Sequence, residues 1–114
     1  MSAAWSPISG YNVMWLMAMF DLPVDDTAAR RHYARFRRLL LQNGFSRLQY
    51  SVYALCCESE ATAVAQRSQI SQKLPPDGQV RLLMITDRQF GKMEVYHGKT
   101  RVNNEEKPRQ LELF

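Results

Sequence analysis

The sequence predicts an α+β fold built around one hydrophobic core. Short apolar segments bounded by turn residues alternate with segments of helical period, in the order β-α-β-β-α-β. The chain has 114 residues, which is the size of a single domain. This order of elements is that of the ferredoxin-like fold, in which two helices cover one face of an antiparallel sheet, and we expect additional strands near the C-terminus.

The first predicted strand covers residues 13–20, an apolar block that ends at Asp21, Leu22 and Pro23. Residues 1–12 show no clear period and are predicted to be an N-terminal extension. The domain is then expected to span residues 13–98. Residues 99–114 form a predicted C-terminal tail that is a candidate edge or docking strand.

The first helix is the most strongly patterned element. Asp25 and Asp26 supply its predicted N-terminal cap, it is expected to run to about Gln42, and Gly44 lies where a C-terminal cap is expected. Its predicted buried stripe, at the spacing i, i+4, i+7 and i+11, consists of Ala29, Tyr33, Phe36 and Leu40.

Two short segments rich in aromatic and β-branched residues, 45–50 and 51–57, predict two strands joined by a tight bend around Tyr50 and Ser51. A second helix follows these strands. Ser59 is expected to cap this helix, since Ser is a preferred N-cap residue and Glu60 follows in the first turn.

The second helix must end before Pro75, and a turn is expected at residues 75–78. The fourth strand is predicted at residues 80–86, and a short fifth strand at residues 93–96. Near the end of the sequence, residues 111–113 alternate in the manner of an edge strand.

Two predicted strands are apolar on both faces, although the helices can cover only one face of the sheet. These are residues 13–20 and 82–85. An identical subunit is the favoured cover for the second face, because most soluble oligomers are twofold dimers. We therefore predict a homodimer whose two sheets face each other. The alternative is that the N-terminal extension or the C-terminal tail folds over this face, and neither is apolar enough to be favoured.

Composition and charge restrict the class of protein. Fifteen Lys and Arg against eleven Asp and Glu give a formal net charge of +4, which favours an acidic partner. Cys56 and Cys57 are adjacent in a predicted strand, so their side chains point to opposite faces and a disulfide framework is not expected. The longest apolar run, residues 13–20, is shorter than the roughly 20 residues of a membrane helix. We expect a cytoplasmic protein with no membrane partner.

The first helix is also rich in arginine. Arg31, Arg35 and Arg38 lie on one predicted face, and no acid occurs between Thr27 and Gln42 to balance them. Arginine binds phosphate bidentately, so nucleic-acid contact is favoured over a merely solvated helix face. The predicted nucleic-acid-binding residues are Arg30, Arg31, Arg35, Arg37, Arg38 and Arg47.

Asp21, which directly follows the first strand, is the candidate for metal-dependent chemistry. A single carboxylate in this position can simply stabilise a turn. In a dimer whose twofold axis passes near the strand end, however, a second Asp21 would lie close, and two carboxylates with water could hold Mg²⁺. Asp21 is therefore the predicted metal ligand and candidate catalytic residue. His32 and His97 have no metal-ligand spacing.

Four segments together resemble one protein family. They are residues 20–23 (Phe-Asp-Leu-Pro), 39–45 (Leu-Leu-Leu-Gln-Asn-Gly-Phe), 47–53 (Arg-Leu-Gln-Tyr-Ser-Val-Tyr) and 86–93 (Thr-Asp-Arg-Gln-Phe-Gly-Lys-Met). The family is that of the small CRISPR-associated spacer-acquisition protein, also described as the Cas-two endoribonuclease. The last segment is similar to the branch found in type II systems.

The resemblance implies a ferredoxin-like homodimer in which Asp21 of both subunits shares a divalent metal, Mg²⁺. It also implies a central place between pairs of the CRISPR integrase, where the dimer binds the duplex DNA to be inserted as a spacer. Nuclease activity on DNA or RNA, including single-stranded RNA, is ascribed to some members. Many members have Tyr before this Asp, where this chain has Phe20, so that hydroxyl is absent here.

Two functions are therefore predicted. The first is a CRISPR adaptation subunit, a basic homodimer that binds duplex DNA and scaffolds the integrase. The alternative is a Mg²⁺-dependent endonuclease that uses Asp21 from both subunits. A third function, base stacking on the open sheet as in RNA-recognition domains, is disfavoured because residues 51–57 lack the required aromatic signature.

Overall fold

The computed structural model describes residues 12–108. The elements in chain order are β1 (Met14–Asp21), α1 (Thr27–Gln42), β2 (Ser46–Gln49), β3 (Val52–Cys57), α2 (Glu60–Ser71), β4 (Gln79–Thr86), α3 (Asp87–Gly91), β5 (Val95–His97) and β6 (Thr100–Val102). The first four strands form one antiparallel sheet in the order β2-β3-β1-β4. This confirms the predicted β-α-β-β-α-β order and the ferredoxin-like α+β fold. The predicted extension, but for Asn12, and the predicted strand at residues 111–113 lie outside the described residues.

The first core lies between the helices and one face of the sheet. Strand β1 contributes alternate residues, and Phe36 and Leu40 of α1 and Ile70 of α2 pack against them. The members of this core are Leu16, Ala18, Phe20, Leu22, Phe36, Leu40, Phe45, Tyr53 and Ile70. Phe36 and Leu40 are buried, and Ala29 and Tyr33 are half-buried, so the predicted stripe of α1 is confirmed.

Local signals in the sequence fix the helix ends. The Asp26 carboxylate accepts a hydrogen bond from the Ala29 amide at 2.8 Å, and the Ser59 hydroxyl accepts one from the Thr62 amide at 3.1 Å. Gly44 follows the end of α1 with φ +92°, which is the left-handed conformation common after a helix. These three predicted caps are confirmed.

The second face of the sheet is covered in part by the chain itself, chiefly through a helix that the sequence did not predict. Helix α3 follows β4 directly and places Phe90 on Trp15, with ring centroids 3.7 Å apart and planes 4° from parallel. Phe90 is buried together with Trp15, Met17 and Ala54. At the Trp15 end the cover is therefore intramolecular, from α3 and from residues 104–107 of the predicted C-terminal tail, so the alternative that the tail folds over this face holds for that end.

A short C-terminal segment reinforces the Trp15 end. The Asp87 carboxylate accepts a hydrogen bond from the Trp15 indole Nε1 at 2.8 Å and pairs with the Lys107 ammonium at 3.4 Å. The Asn104 side-chain amide donates to the Phe90 carbonyl at 2.6 Å. Asp87 therefore has a structural role, because it joins α3 to both β1 and the C-terminal segment.

The other end of the second face is open. Met19 and Val52 are half-buried there, and Leu83 is 49% exposed. We call the surface formed by Met19, Leu48, Val52 and Leu83 the open half of the second face. Asp21 lies on this face as well, because side chains alternate along β1 and Asp21 has the same parity as Met19.

The C-terminal strands differ from the prediction. The expected fifth strand at residues 93–96 is found at Val95–His97, and it pairs with Thr100–Val102 in a separate two-stranded sheet. Gly98 makes the connecting turn with φ +62°, a conformation that glycine adopts without a steric penalty.

Candidate nucleic-acid interface

Helix α1 presents its arginines to solvent because its apolar stripe is used by the core. Phe36 and Leu40 are buried, and the arginines occupy the remaining positions around the helix. All five arginines of α1, which are Arg30, Arg31, Arg35, Arg37 and Arg38, are exposed. The predicted basic face therefore exists as a continuous surface of one helix.

The fold restrains two of these side chains. Arg30 donates from its guanidinium to the Val24 carbonyl at 3.1 Å, which holds it over the start of α1. Arg37 donates from Nε to the hydroxyl of Tyr53 at 3.0 Å. This hydrogen bond holds Arg37 against the sheet through its Nε and leaves the two terminal nitrogens of the guanidinium for other partners.

Arg47 is not on the helix but on the edge strand β2. It is exposed and lies opposite Tyr53 in the β2–β3 pairing. Directly opposed residues share a face, and Tyr53 packs in the core under the helices. Arg47 is therefore on the same side of the sheet as α1, which is consistent with its predicted grouping with the helix arginines.

None of these six arginines forms an ion pair with a carboxylate inside residues 12–108, where the one described pair joins Lys107 and Asp87. Their positive charge is consequently not neutralised by the part of the chain that the structure describes. An exposed, unpaired guanidinium surface of this kind is suited to the phosphates of nucleic acid.

Asp21 lies at the end of β1, where it is exposed. Its backbone is aligned with Gln79 of β4, and its carboxylate makes no described contact within residues 12–108. Gly78 packs directly on this strand end: a Cβ added to Gly78 would lie 2.6 Å from the Asp21 carbonyl oxygen and 3.0 Å from the Leu22 Cα. The carboxylate is thus free to act, while its backbone is fixed by neighbouring main chain.

A single chain does not provide a complete metal site in its described part. Residues 12–108 contain no group of three or more His, Cys, Asp or Glu side chains placed to hold an ion. Asp21 supplies one carboxylate, a ligand type that suits Mg²⁺. The donor set fits a metal only if a second chain contributes its own Asp21, so the predicted Mg²⁺ site depends on the predicted dimer.

The other potential nucleophiles are not suited to catalysis. Burial raises the pKa of Cys56 to about 12, with a further contribution from the Asp87 charge, and burial raises the pKa of Cys57 to about 11. Both remain neutral thiols near neutral pH, and the thiolate is the nucleophilic form. His32 lies half-buried on α1, and His97 is exposed at the end of β5.

Sequence reasoning missed an aromatic pair beside the arginines. Tyr50, at the tip of the β2–β3 hairpin, stacks on Tyr33 of α1 with ring centroids 6.0 Å apart and planes 23° from parallel. Burial raises the pKa of Tyr33, and the nearby Tyr50 hydroxyl raises it further, while Ser51 and Arg37 act in the opposite direction. The sequence offered only the bend at Tyr50 and Ser51 as a signal for this contact.

Comparison with known proteins identifies the family. The family model described as CRISPR associated protein Cas2 matches residues 14–93, from the start of β1 to just beyond α3. The chain belongs to the Cas2 family. The family that the sequence motifs resembled is thereby confirmed, and membership of the branch found in type II systems stays a prediction.

Curated relatives agree with this assignment over most of their length. The chain is 48% identical to the CRISPR-associated endoribonuclease Cas2 of Parvibaculum lavamentivorans, covering 89% of this chain and 100% of that protein. It is 36% identical to the protein of the same name from Flavobacterium psychrophilum, covering 96% of each chain. It is 38% identical to the one from Paracidovorax avenae, covering 94% of this chain and 99% of that protein.

Within residues 12–108, no helix is long and apolar enough to cross a membrane.

Proposed function

We propose that this Cas2-family chain is a subunit of CRISPR spacer acquisition, a basic homodimer that binds duplex DNA and scaffolds the CRISPR integrase. The observation that carries the proposal is the exposed arginine surface of α1 together with Arg47, which has no carboxylate partner inside residues 12–108. Phosphates of a duplex would supply the missing anions.

The open half of the second face supports the homodimer. Its apolar side chains are only half-buried, and Leu83 is 49% exposed. Burial of this surface by a copy of the chain contributes roughly 25 cal/mol per Å² of apolar area. A dimer formed in this way leaves α1 uncovered, because α1 packs on the opposite face of the sheet.

The test of DNA binding is the salt dependence of affinity for a blunt duplex. For a protein held by phosphate contacts, log affinity falls with log salt concentration with a slope of about −0.9 per phosphate neutralised. Replacement of Arg31, Arg35 and Arg38 by Gln should weaken binding and make this slope shallower by about 0.9 for each phosphate that is no longer neutralised.

The matched control removes the same charge elsewhere. Gln substitutions at Lys92, Lys99 and Arg101, which are exposed at the end of α3 and on the β5–β6 hairpin, should leave the slope close to that of the wild type. Equal losses in the two triple variants would mean that net charge alone, and not the α1 surface, governs binding. Affinity independent of salt would contradict the proposal.

Spacer acquisition in cells tests the scaffold role. The Arg31, Arg35 and Arg38 triple variant should abolish acquisition, while Asp21→Asn should retain it, because a scaffold needs the shape and charge of the dimer and not the carboxylate. Loss of acquisition with Asp21→Asn and full acquisition with the arginine variant would reverse this assignment.

A second function, Mg²⁺-dependent endonuclease activity on RNA or DNA, is supported by the place of Asp21. The carboxylate is exposed at the end of β1 on the face that includes the open half, so a copy paired there would bring its own Asp21 near. Mg²⁺ bound by both would position a phosphodiester and acidify a water. The curated relatives are named as endoribonucleases, which also supports this function.

Cleavage assays on single-stranded RNA and duplex DNA test this second function. Wild type with Mg²⁺ should cleave, and addition of EDTA or the Asp21→Asn substitution should remove cleavage. Asp25→Asn, which changes an exposed acid beyond the strand end that does not cap α1, should leave cleavage intact. Equal cleavage in all samples would indicate a contaminating nuclease and exclude Asp21 as the catalyst.

A further inference from the structure

We propose that Tyr50 is a nucleobase-stacking residue, which holds an unpaired nucleotide of DNA or RNA beside the arginine surface of α1. This inference rests on the proposed nucleic-acid binding and adds a specificity that the arginines do not provide, since guanidinium groups in this role contact phosphates and not bases.

The first step is the exposure of the ring. Tyr50 is 70% exposed, the largest fraction among the exposed large hydrophobic side chains of the described residues. It lies at the tip of the β2–β3 hairpin, and one side of it faces Tyr33. A base can stack on what remains exposed, because every base presents a flat π-face to an aromatic side chain.

The second step is that the ring is held in place. Tyr33 packs against the core under the helices and stacks on Tyr50. The next residue, Ser51, has φ +67°, a left-handed conformation that non-glycine residues seldom adopt. Its carbonyl accepts a hydrogen bond from the Phe20 amide at 3.0 Å, which fastens the hairpin tip to β1. A ring ordered in advance loses little conformational freedom when a base binds.

The third step is the charge beside the ring. Arg37 follows Tyr33 by one turn of α1, and its Nε donates to the Tyr53 hydroxyl at 3.0 Å, which fixes it beside the hairpin. A cation next to a stacking ring is the combination used by proteins that bind single strands, in which the cation holds the backbone and the ring holds a base. Because Tyr33 belongs to α1, the Tyr50 ring is on the helix side of the sheet and not on the open half of the second face.

The experiment compares single-stranded and duplex affinities at one fixed salt concentration. The probes are oligothymidine, oligouridine and a blunt DNA duplex. Tyr50→Ala should lower the affinity for single strands by about 5- to 150-fold, the range expected when one base stack is removed, and should leave duplex affinity unchanged. The oligothymidine and oligouridine arms show whether the unpaired nucleotide is DNA, RNA or either.

Two further variants separate stacking from other effects. Tyr50→Phe should keep single-strand affinity, since it keeps the ring. Tyr96→Ala should also keep it, because Tyr96 is 52% exposed but lies on β5 with its hydroxyl bound to the Glu94 carboxylate at 2.7 Å. Thermal unfolding of Tyr50→Ala should be close to that of the wild type, as the ring is mostly outside the core.

The outcomes distinguish this inference from the proposed function. Single-strand affinity that is unaffected by Tyr50→Ala in both arms, or that falls as far in Tyr50→Phe or Tyr96→Ala, overturns the stacking role and leaves duplex binding intact. Absence of duplex binding by the wild type, with single-strand binding that depends on Tyr50, overturns the proposed function and retains the stacking role.

Discussion

Single side chains of the candidate interface differ in whether the fold restrains their tip or their backbone. Arg37 is held at its tip, through the Tyr53 hydroxyl at 3.0 Å. Asp21 is held only through its backbone, which pairs with β4 and packs closely against Gly78. The hydrogen bond at Arg37 sets the direction of its guanidinium group. At Asp21 the carboxylate is free, and only the backbone that carries it is fixed.

Gly78→Ala should destabilise the protein more than Gly98→Ala. Both glycines have positive φ, which costs an alanine roughly 1–2 kcal/mol. At Gly78 the new Cβ would in addition meet the Asp21 carbonyl at 2.6 Å, whereas at Gly98 it would meet nothing within 4 Å. Urea denaturation of the two variants measures the difference, and equal losses of unfolding free energy would contradict the close packing at Gly78.

Among the elements, the longer helices were predictable and α3 was not. The stripe of α1 and the caps at Asp26 and Ser59 are encoded by neighbouring residues, so periodicity and capping preferences were sufficient. Helix α3 has five residues and one buried side chain, Phe90, so it has no measurable period. The one local signal was the Thr86 to Gln89 spacing of a capping box.

The features of the candidate site likewise fall into those that the sequence predicts and those that it does not. The exposure of the α1 arginines and the position of Asp21 follow from helical and strand periods, which the sequence contains. The stacking of Tyr50 on Tyr33 depends on how the hairpin tip meets α1, which is a tertiary contact without a local pattern. The Arg37 to Tyr53 hydrogen bond was unpredictable for the same reason.

Thr86→Ala should loosen α3 and expose the Trp15 end of the second face. Thr86 caps α3 by accepting from the Gln89 amide at 3.0 Å, and loss of such a cap costs roughly 0.5–2 kcal/mol. Since the Trp15 indole donates to Asp87 in this helix, its N–H should exchange with solvent faster. Amide and indole hydrogen exchange by NMR measures this.

Ser59→Ala is the control for the α3 prediction. It removes the cap of α2, which packs on the opposite face of the sheet from Trp15. It should lower global stability by a similar amount without selectively accelerating exchange of the Trp15 indole. Equal acceleration in both variants would mean that Trp15 exchanges through global unfolding rather than through the opening of α3.

In the whole molecule, the two faces of the sheet are covered in different ways. One is filled by α1 and α2, and the other is shared between α3 and the open half. The apolar pattern of β1 predicted that both faces are covered, but it could not show that part of the cover is intramolecular. The area left to a second copy is therefore smaller than the sequence suggested.

Leu83→Asp should convert the proposed dimer to a folded monomer. A charge placed in an apolar interface without a partner is strongly unfavourable, whereas Leu83 is 49% exposed in the single chain and tolerates it. Leu74→Asp is the matched control, because Leu74 is 47% exposed but lies in the loop after α2. Sedimentation velocity distinguishes the states, and a wild type that is monomeric at micromolar concentration would contradict the dimer.

The close packing of Gly78 against Asp21 has a consequence for how position 21 can be varied. Pairing with Gln79 and the packing of Gly78 determine where residue 21 lies, and its side chain contributes no described contact. Exchange of carboxylate for amide therefore changes the chemistry of the strand end while the architecture stays constant. A change in the behaviour of the Asp21→Asn variant therefore reports on the reactivity of the carboxylate rather than on folding.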